Sequence, residues 1–161
     1  MITSGIEVEF WEHFRQFCKD NNAFLRPGRV LVRGKYRYSI LTGMPGIKIK
    51  LRVVEHLGCQ IRISSPQSSM YFRELDPQRL QLESALDSGQ GEIKWGHKER
   101  RVLRIGQSGK DTDLNARDKW PEYFAWLKER AESFHRVLVP RLKALRSEEE
   151  METEEDDEVK E

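Results

Sequence analysis

Ten lysine and arginine residues recur at alternate positions of segments that look like β-strands. Within residues 30–64, the segments VLVRGKYRYSIL, GIKIKLRVV and CQIRISS alternate apolar and largely basic residues. EIKW and RRVLRI alternate similarly further on. A period of two places the two sets on opposite faces of a sheet. If every strand turns its apolar side inward, the other face collects Arg33, Lys35, Arg37, Lys48, Lys50, Arg52, Arg62, Lys94, Arg100 and Arg104. Cations gathered on one face have the chemistry to bind phosphate groups.

The same cations have a simpler explanation, since lysines and arginines also protect the edges of solvated sheets against aggregation. Tyr36 and Tyr38 fall on the apolar side of their strand. The pattern therefore does not indicate stacking of bases on aromatic side chains. It predicts recognition of charge, and the expected partner is the backbone of a nucleic acid or an acidic protein.

Residue spacings that could hold a metal ion are isolated. His56-x-x-Cys59 has the spacing of half a zinc site. A second pair is missing, because the other histidines and the other cysteine are scattered at His13, Cys18, His97 and His135. Ordinary turn and core positions explain His56 and Cys59 better, so the sequence predicts no metal and no cofactor.

One short pattern is similar to the strand motif of metal-dependent nucleases. Glu92-x-Lys94 lies in a predicted hairpin, but such a site needs a further acidic ligand. Asp76 and Asp87 could be proposed, yet both lie on or at the end of a predicted helix. No nucleophile with a base and no phosphate-binding glycine loop accompanies them. We predict no catalytic residue, and a cryptic metal-dependent nuclease is the only enzymatic alternative.

The elements that position these residues follow from the hydrophobic periodicity. Helical spacing predicts a first helix over about 5–20 and a last, long helix from Asp118. Between them lie three strands, a helical segment that Pro77 either kinks or restarts, and a two-stranded hairpin. The order α-β-β-β-α-β-β-α predicts an α+β fold, in which an antiparallel five-stranded sheet has helices on one face.

Charge divides the 161-residue chain into two parts. Residues 147–161 contain ten acidic residues against Lys160 alone, whereas residues 1–146 contain 27 basic and 17 acidic residues. The net charges are therefore −9 and +10. With almost nothing apolar to bury, 147–161 is predicted to be a disordered acidic tail on a single domain of residues 1–146. The tail either serves solubility, folds back over the basic face, or binds a basic patch on a partner.

Several further features predict where the protein works. No stretch approaches the roughly twenty apolar residues of a transmembrane helix. The chain shows no signal peptide, and Cys18 and Cys59 are expected to be free buried thiols. A cytoplasmic protein without a membrane partner is expected.

Several segments together resemble a prokaryotic and phage family, domain of unknown function 4268. They are FWEHFR at 10–15, the run 47–63 leading into MYF at 70–72, EIKW at 92–95, WPE at 120–122, WL at 126–127, FHRV at 134–137 and Pro140. These motifs are mostly apolar and aromatic, so the resemblance implies a fold more than a chemistry. Members of the family often carry a nuclease-like region upstream; that region is absent here, so the resemblance does not imply nuclease activity.

The leading expectation is a non-enzymatic, nucleic-acid-associated protein, an accessory or regulator of nucleic-acid processing or of phage or bacterial defence. The alternative is a dimeric protein-interaction or chaperone-like module, because the element order is also similar to that of type III secretion chaperones. A homodimer is predicted in either case, with Trp11 and Trp126 as candidate interface residues because they lie off the main apolar stripes.

Overall fold

The computed structural model describes residues 4–21, 25–27, 37–64, 66–87, 90–98 and 102–160. Its helices are α1 (Ser4–Asp20), α2 (Ser68–Leu75), α3 (Arg79–Ala85) and α4 (Trp120–Lys160). Its strands are β1 (Arg26–Pro27), β2 (Arg37–Leu41), β3 (Ile47–Arg52), β4 (His56–Ile63), β5 (Ile93–Lys98) and β6 (Val102–Asp111). The predicted α+β fold and the order α-β-β-β-α-β-β-α are confirmed, with β1 as a two-residue addition at the sheet edge.

Antiparallel pairing joins all strands into one sheet with the order β1-β2-β3-β4-β6-β5. Short turns connect β2 to β3 and β3 to β4, as expected for antiparallel neighbours. The first predicted strand starts at Val30, but residues 28–36 lie outside the described residues. The part of this strand that the structure describes spans Arg37–Leu41. Arg26 and Pro27 of β1 pair with Leu41 and Ile40.

The helices cover a single face of the sheet. Strand β4 alternates buried and half-buried residues throughout, and the buried members include Leu57, Cys59, Ile61 and Ile63. α4 packs across β3 and β4, while α2 packs on β6. Apolar burial on this side supplies the main driving force for folding.

Trp11 belongs to this core and not to a subunit interface. It is 1 % exposed, and its ring stacks on Tyr38 of β2 with centroids 5.2 Å apart. Trp126 is half-buried, and a Cβ atom added to Gly109 would lie 2.7 Å from its ring. The interface prediction for Trp11 is therefore wrong, because the orientation of α1 places this ring against the sheet. The homodimer stays a prediction without that support.

Pro77 restarts the central helical segment. α2 ends at Leu75, a single turn of 3₁₀-helix follows over Asp76–Gln78, and α3 begins at Arg79. Proline fits the first turn of a helix, where its missing N–H has no intrahelical partner. The second predicted possibility, a restart, is the one observed.

α4 continues in helical conformation through residues 147–160, where the sequence predicts a disordered tail. Glutamate is a good helix former, which explains how an acidic segment can extend a helix. The division into a domain of residues 1–146 and a disordered tail stays a prediction. No helix among the described residues is long and apolar enough to cross a membrane.

Candidate nucleic-acid interface

The face of the sheet opposite the helices carries most of the predicted cations. We call the seven described members of the set the basic face: Arg37, Lys48, Lys50, Arg52, Arg62, Lys94 and Arg104. Alternation in β2, β3, β4 and β6 buries their neighbours on the helical side. Arg33, Lys35 and Arg100 lie outside the described residues. The structure thus brings together the seven that it describes, and their binding role stays a prediction.

The strand register sets like charges directly opposite one another. Lys48 of β3 pairs with Arg62 of β4, which in turn pairs with Arg104 of β6. Four residues along β3, Arg52 pairs with Arg37 of β2. Like charges placed opposite each other on neighbouring strands destabilise a sheet. These two rows therefore cost the fold stability.

The two rows lie on either side of an uncharged floor. Between them, Gln60 of β4 pairs with Lys50 of β3 on one side and with Gly106 of β6 on the other. Gly106 pairs in turn with Lys94 of β5. The floor is completed by Gly58, which is the partner of Arg52. Cations therefore flank Gln60 and Gly106 across the strands, at Lys50 and Lys94, and along them, at Arg62 and Arg104; at the other end, Arg37 and Arg52 lie beside Gly58 in one row that Ser108 completes on β6.

This arrangement forms a cavity of about 390 Å³. Six of the seven basic-face cations line it, together with His56 and Ser108. Lys48 is the basic-face residue outside that lining; it lines a neighbouring cavity of about 170 Å³ with Lys50 and Arg62. The volume of the larger cavity falls within the range of small-molecule sites, roughly 300–1,000 Å³.

Among the described residues, little of the positive charge of the basic face is compensated by nearby carboxylates. Partial burial lowers the pKa of Lys50, and the neighbouring charges of Lys48, Arg62 and Arg37 lower it further. Within the described ranges, the one ion pair on this face is Lys94–Glu92, at 4.0 Å and exposed to solvent. The buried Nε of Arg52 has no hydrogen-bond partner. An anion bound here would relieve the repulsion among these cations.

Among the described residues, tyrosine, tryptophan and phenylalanine side chains do not contribute to this surface. Tyr38 is 3 % exposed on the helical side, as its alternation predicts, and Tyr36 lies outside the described residues. Phe72 and Trp95 also pack on the helical side, against His97 and Arg79 respectively. The described basic face thus provides charge and hydrogen bonds but no platform of the kind that stacks bases.

The spacings considered for metal binding are not assembled into a site. His56 and Cys59 differ by an odd number of residues on β4, so the first is half-buried on the basic face and the second is buried in the core. Asp76, proposed as a nuclease ligand, pairs with Arg79 at 2.6 Å. The backbone of Asp87 contacts Gln107 on the helical side of the sheet, away from Lys94. Among the described residues, no group of three or more histidine, cysteine, aspartate or glutamate side chains could hold a metal ion.

A buried polar cluster was missed by the sequence reasoning. Arg130 of α4 is 3 % exposed; its Nη1 donates to the carbonyl of Leu86 at 2.5 Å. Gln107 of β6, also buried, donates to the carbonyls of Asp87 and Gly91 at 2.9 and 3.0 Å. Together they hold the chain between α3 and β5. A polar residue within an otherwise apolar alternation, as at Gln107, is the only sequence signal of this cluster.

A second link holds the two ends of the helical layer together. Arg117, just before α4, makes two hydrogen bonds to the carboxylate of Glu9 on α1, at 2.8 and 2.7 Å. This contact lowers the pKa of Glu9 and raises that of Arg117. Arg117 also lies over the ring of Trp120. Glu9 and Arg117 therefore neutralise each other on the helical side, and their charges give no reason to place a ligand there.

Comparison with known proteins identifies the fold family and gives no activity. No curated protein matches the chain, and no solved structure matches it. A family model, Domain of unknown function (DUF4268), matches residues 6–142, which include every element from α1 into α4. The chain therefore belongs to the family domain of unknown function 4268.

Proposed function

We propose that this protein is a non-enzymatic, nucleic-acid-associated binding protein whose basic face contacts the sugar–phosphate backbone. In a cell it would act as an accessory or regulator of nucleic-acid processing, including phage or bacterial defence. The observation that carries the proposal is the basic face itself: cations in register on neighbouring strands, with one solvent-exposed carboxylate beside them in the described structure.

The energetic argument is that such a surface is unfavourable without a ligand. Opposed pairs such as Lys48–Arg62 cost stability, and the lowered pKa of Lys50 reflects the same repulsion. A nucleic-acid backbone supplies closely spaced negative charges and releases its condensed counterions when cations replace them. Phosphate contacts of this kind position a protein without reading sequence. We therefore expect binding with little sequence preference.

The acidic segment 147–161 belongs to the same proposal. Its net charge of −9 nearly balances the +10 of the remaining chain, and it would compete with nucleic acid for the basic face if it leaves its helical extension of α4 and folds across to that face. Removal of residues 147–161 should then increase affinity for an oligonucleotide. Unchanged affinity after truncation would leave solubility, or binding to a basic patch on a partner, as the role of the segment.

The experiment is a fluorescence-anisotropy titration of single- and double-stranded oligonucleotides at low salt. The basic-face variant carries Lys50→Gln, Arg62→Gln and Arg104→Gln. The helical-layer variant carries Arg15→Gln, Arg73→Gln and Lys143→Gln, which are exposed positions on α1, α2 and α4. Both variants lose the same net charge, so a difference between them reports location and not total charge.

We expect the basic-face variant to lose about tenfold to a hundredfold in affinity and the helical-layer variant to change by less than about threefold. If the truncated protein binds neither type of oligonucleotide at low salt, the proposal is wrong. The alternative class, a dimeric protein-interaction or chaperone-like module, would then be favoured, and sedimentation of the full chain would test its dimer.

A further inference from the structure

The basic-face cations are arranged as a ring and not as a stripe. Arg52 and Arg37 lie at one end of the uncharged floor, and Arg62 and Arg104 lie at the other. Lys50 and Lys94 close the two sides, because they are the lateral neighbours of Gln60 and Gly106. A stripe of cations suits a nucleic-acid strand that runs along it, whereas a ring of cations concentrates positive electrostatic potential at its centre. The centre of this ring is the 390 Å³ cavity.

The floor of the ring adds uncharged polar contacts to the surrounding cations. The Arg52 side chain packs beside Gly58 and the Gln60 side chain packs beside Gly106, where added Cβ atoms would meet them at 3.3 and 3.5 Å, and the Gln60 amide supplies both a donor and an acceptor. Gln60 is half-buried and lines the same cavity as the cations around it.

Concentrated negative charge matches such a ring better than spread charge does. A phosphate monoester carries about −1.5 to −2 charges at neutral pH and three strong acceptor oxygens. A phosphodiester inside a nucleic-acid strand carries a single charge. We propose that the ring is a site for a phosphate monoester or oligophosphate group, presented by the end of a nucleic-acid strand or by a free nucleotide. This inference rests on the proposed function, since it places the end of the bound strand within the same face.

The cavity volume agrees with this ligand class. At about 390 Å³, it has room for a phosphate group with part of its nucleoside and none for a long stretch of strand. Lys48, outside the lining, contacts the strand that leads away from the ring. Lys48 and the ring residues are therefore expected to respond differently to the same ligand.

The experiment compares oligonucleotides of one sequence, with an internal fluorophore and a 5′-phosphate, a 3′-phosphate or no terminal phosphate. The full chain should bind one of the phosphorylated strands about tenfold more tightly than the unphosphorylated strand. Arg52→Gln and Arg104→Gln should each abolish that preference. Lys48→Gln should weaken binding of all three strands equally and leave the preference intact.

Free nucleotide distinguishes the two sources of the phosphate group. ATP should displace the bound strand at concentrations at which adenosine with sodium sulfate of equal ionic strength does not. Equal affinity for all three strands and no specific effect of ATP would overturn the inference while leaving the proposed function intact. Stabilisation by ATP in a thermal-shift assay without any oligonucleotide binding would support the ring site and overturn the proposed function. If no probe binds, both fail.

Discussion

Neutralising Arg62 should make the protein more stable while it weakens binding to nucleic acid. Arg62 lies between two like charges, because its neighbours in register are Lys48 on β3 and Arg104 on β6. Removal of its charge ends both repulsions at once. Substituting a residue that stabilises the fold usually lowers the free energy of unfolding. An increase for Arg62→Gln would therefore indicate that Arg62 serves a purpose other than stability.

The magnitude follows from the spacing of the strands. Charges about 6 Å apart repel by about 0.7 kcal/mol in water, and salt at about 0.1 M screens part of this. Directly opposed pairs on strands are worth about 0.2–1 kcal/mol each. Two such pairs give an expected gain of about 0.5–1 kcal/mol for Arg62→Gln, or about 1–4 °C in Tm for a chain of this size.

The assay is urea denaturation of Arg62→Gln beside Arg73→Gln as the control. Arg73 has an exposed side chain on α2 and a carboxylate neighbour, Glu74, at 3.7 Å, so its loss should bring no gain. In about 1 M NaCl the Debye length falls to about 3 Å, and the gain at Arg62 should shrink by more than half. The reasoning is refuted if Arg62→Gln is no more stable than Arg73→Gln at low salt, or if its gain is the same at both salt concentrations.

Three further predictions concern the core and the turns. Arg130→Leu should lower the free energy of unfolding by about 2–3 kcal/mol, because it leaves the buried carbonyl of Leu86 without its donor; a loss below about 0.5 kcal/mol in urea denaturation would contradict this. Gly91→Ala should destabilise by more than about 1 kcal/mol, because φ is +144° there and the new Cβ would lie 1.9 Å from the oxygen of Ser108. Gly96→Ala is its control, since that Cβ meets nothing within 4 Å, and equal effects would count against the steric argument. Burial raises the pKa of Cys18 to about 11 and also raises that of Cys59, so both thiols stay protonated at about pH 8. Each should therefore react with a thiol reagent only after unfolding. Rapid reaction of either cysteine in the native protein would be inconsistent with its burial.

The alternation of residues 37–64 was sufficient to predict the sheet and the side on which its cations lie. A period of two divides the side chains of a strand between two faces but does not say which face is buried. The apolar residues Ile47, Ile49 and Leu51 identify the buried face. Both cysteines are buried and free, as their setting indicates. The family could be identified from its apolar and aromatic motifs, because these residues form the core that its members share.

Other features depend on contacts that no local pattern contains. The pairing of Lys48, Arg62 and Arg104 requires the strand register, which turn geometry and the crossover to β6 determine. Arg130 donates a hydrogen bond to the carbonyl of Leu86, 44 positions away in the chain. The helical periodicity of α4 does not predict this partner. Trp11 lies beside its main apolar stripe, and only the position of β2 shows that it is buried against Tyr38. The ring around Gln60 likewise appears only when five strands are placed side by side.

The most direct test of the central claim is the salt dependence of oligonucleotide binding. The logarithm of the binding constant should fall linearly with the logarithm of salt concentration, with a slope of about −0.9 for each phosphate contacted on a duplex and about −0.7 on a single strand. The basic-face variant, which lacks three cations, should show a slope smaller by about 2–3 than that of the helical-layer variant on the same duplex. Identical slopes for the two variants would contradict the claim that the basic face binds nucleic acid.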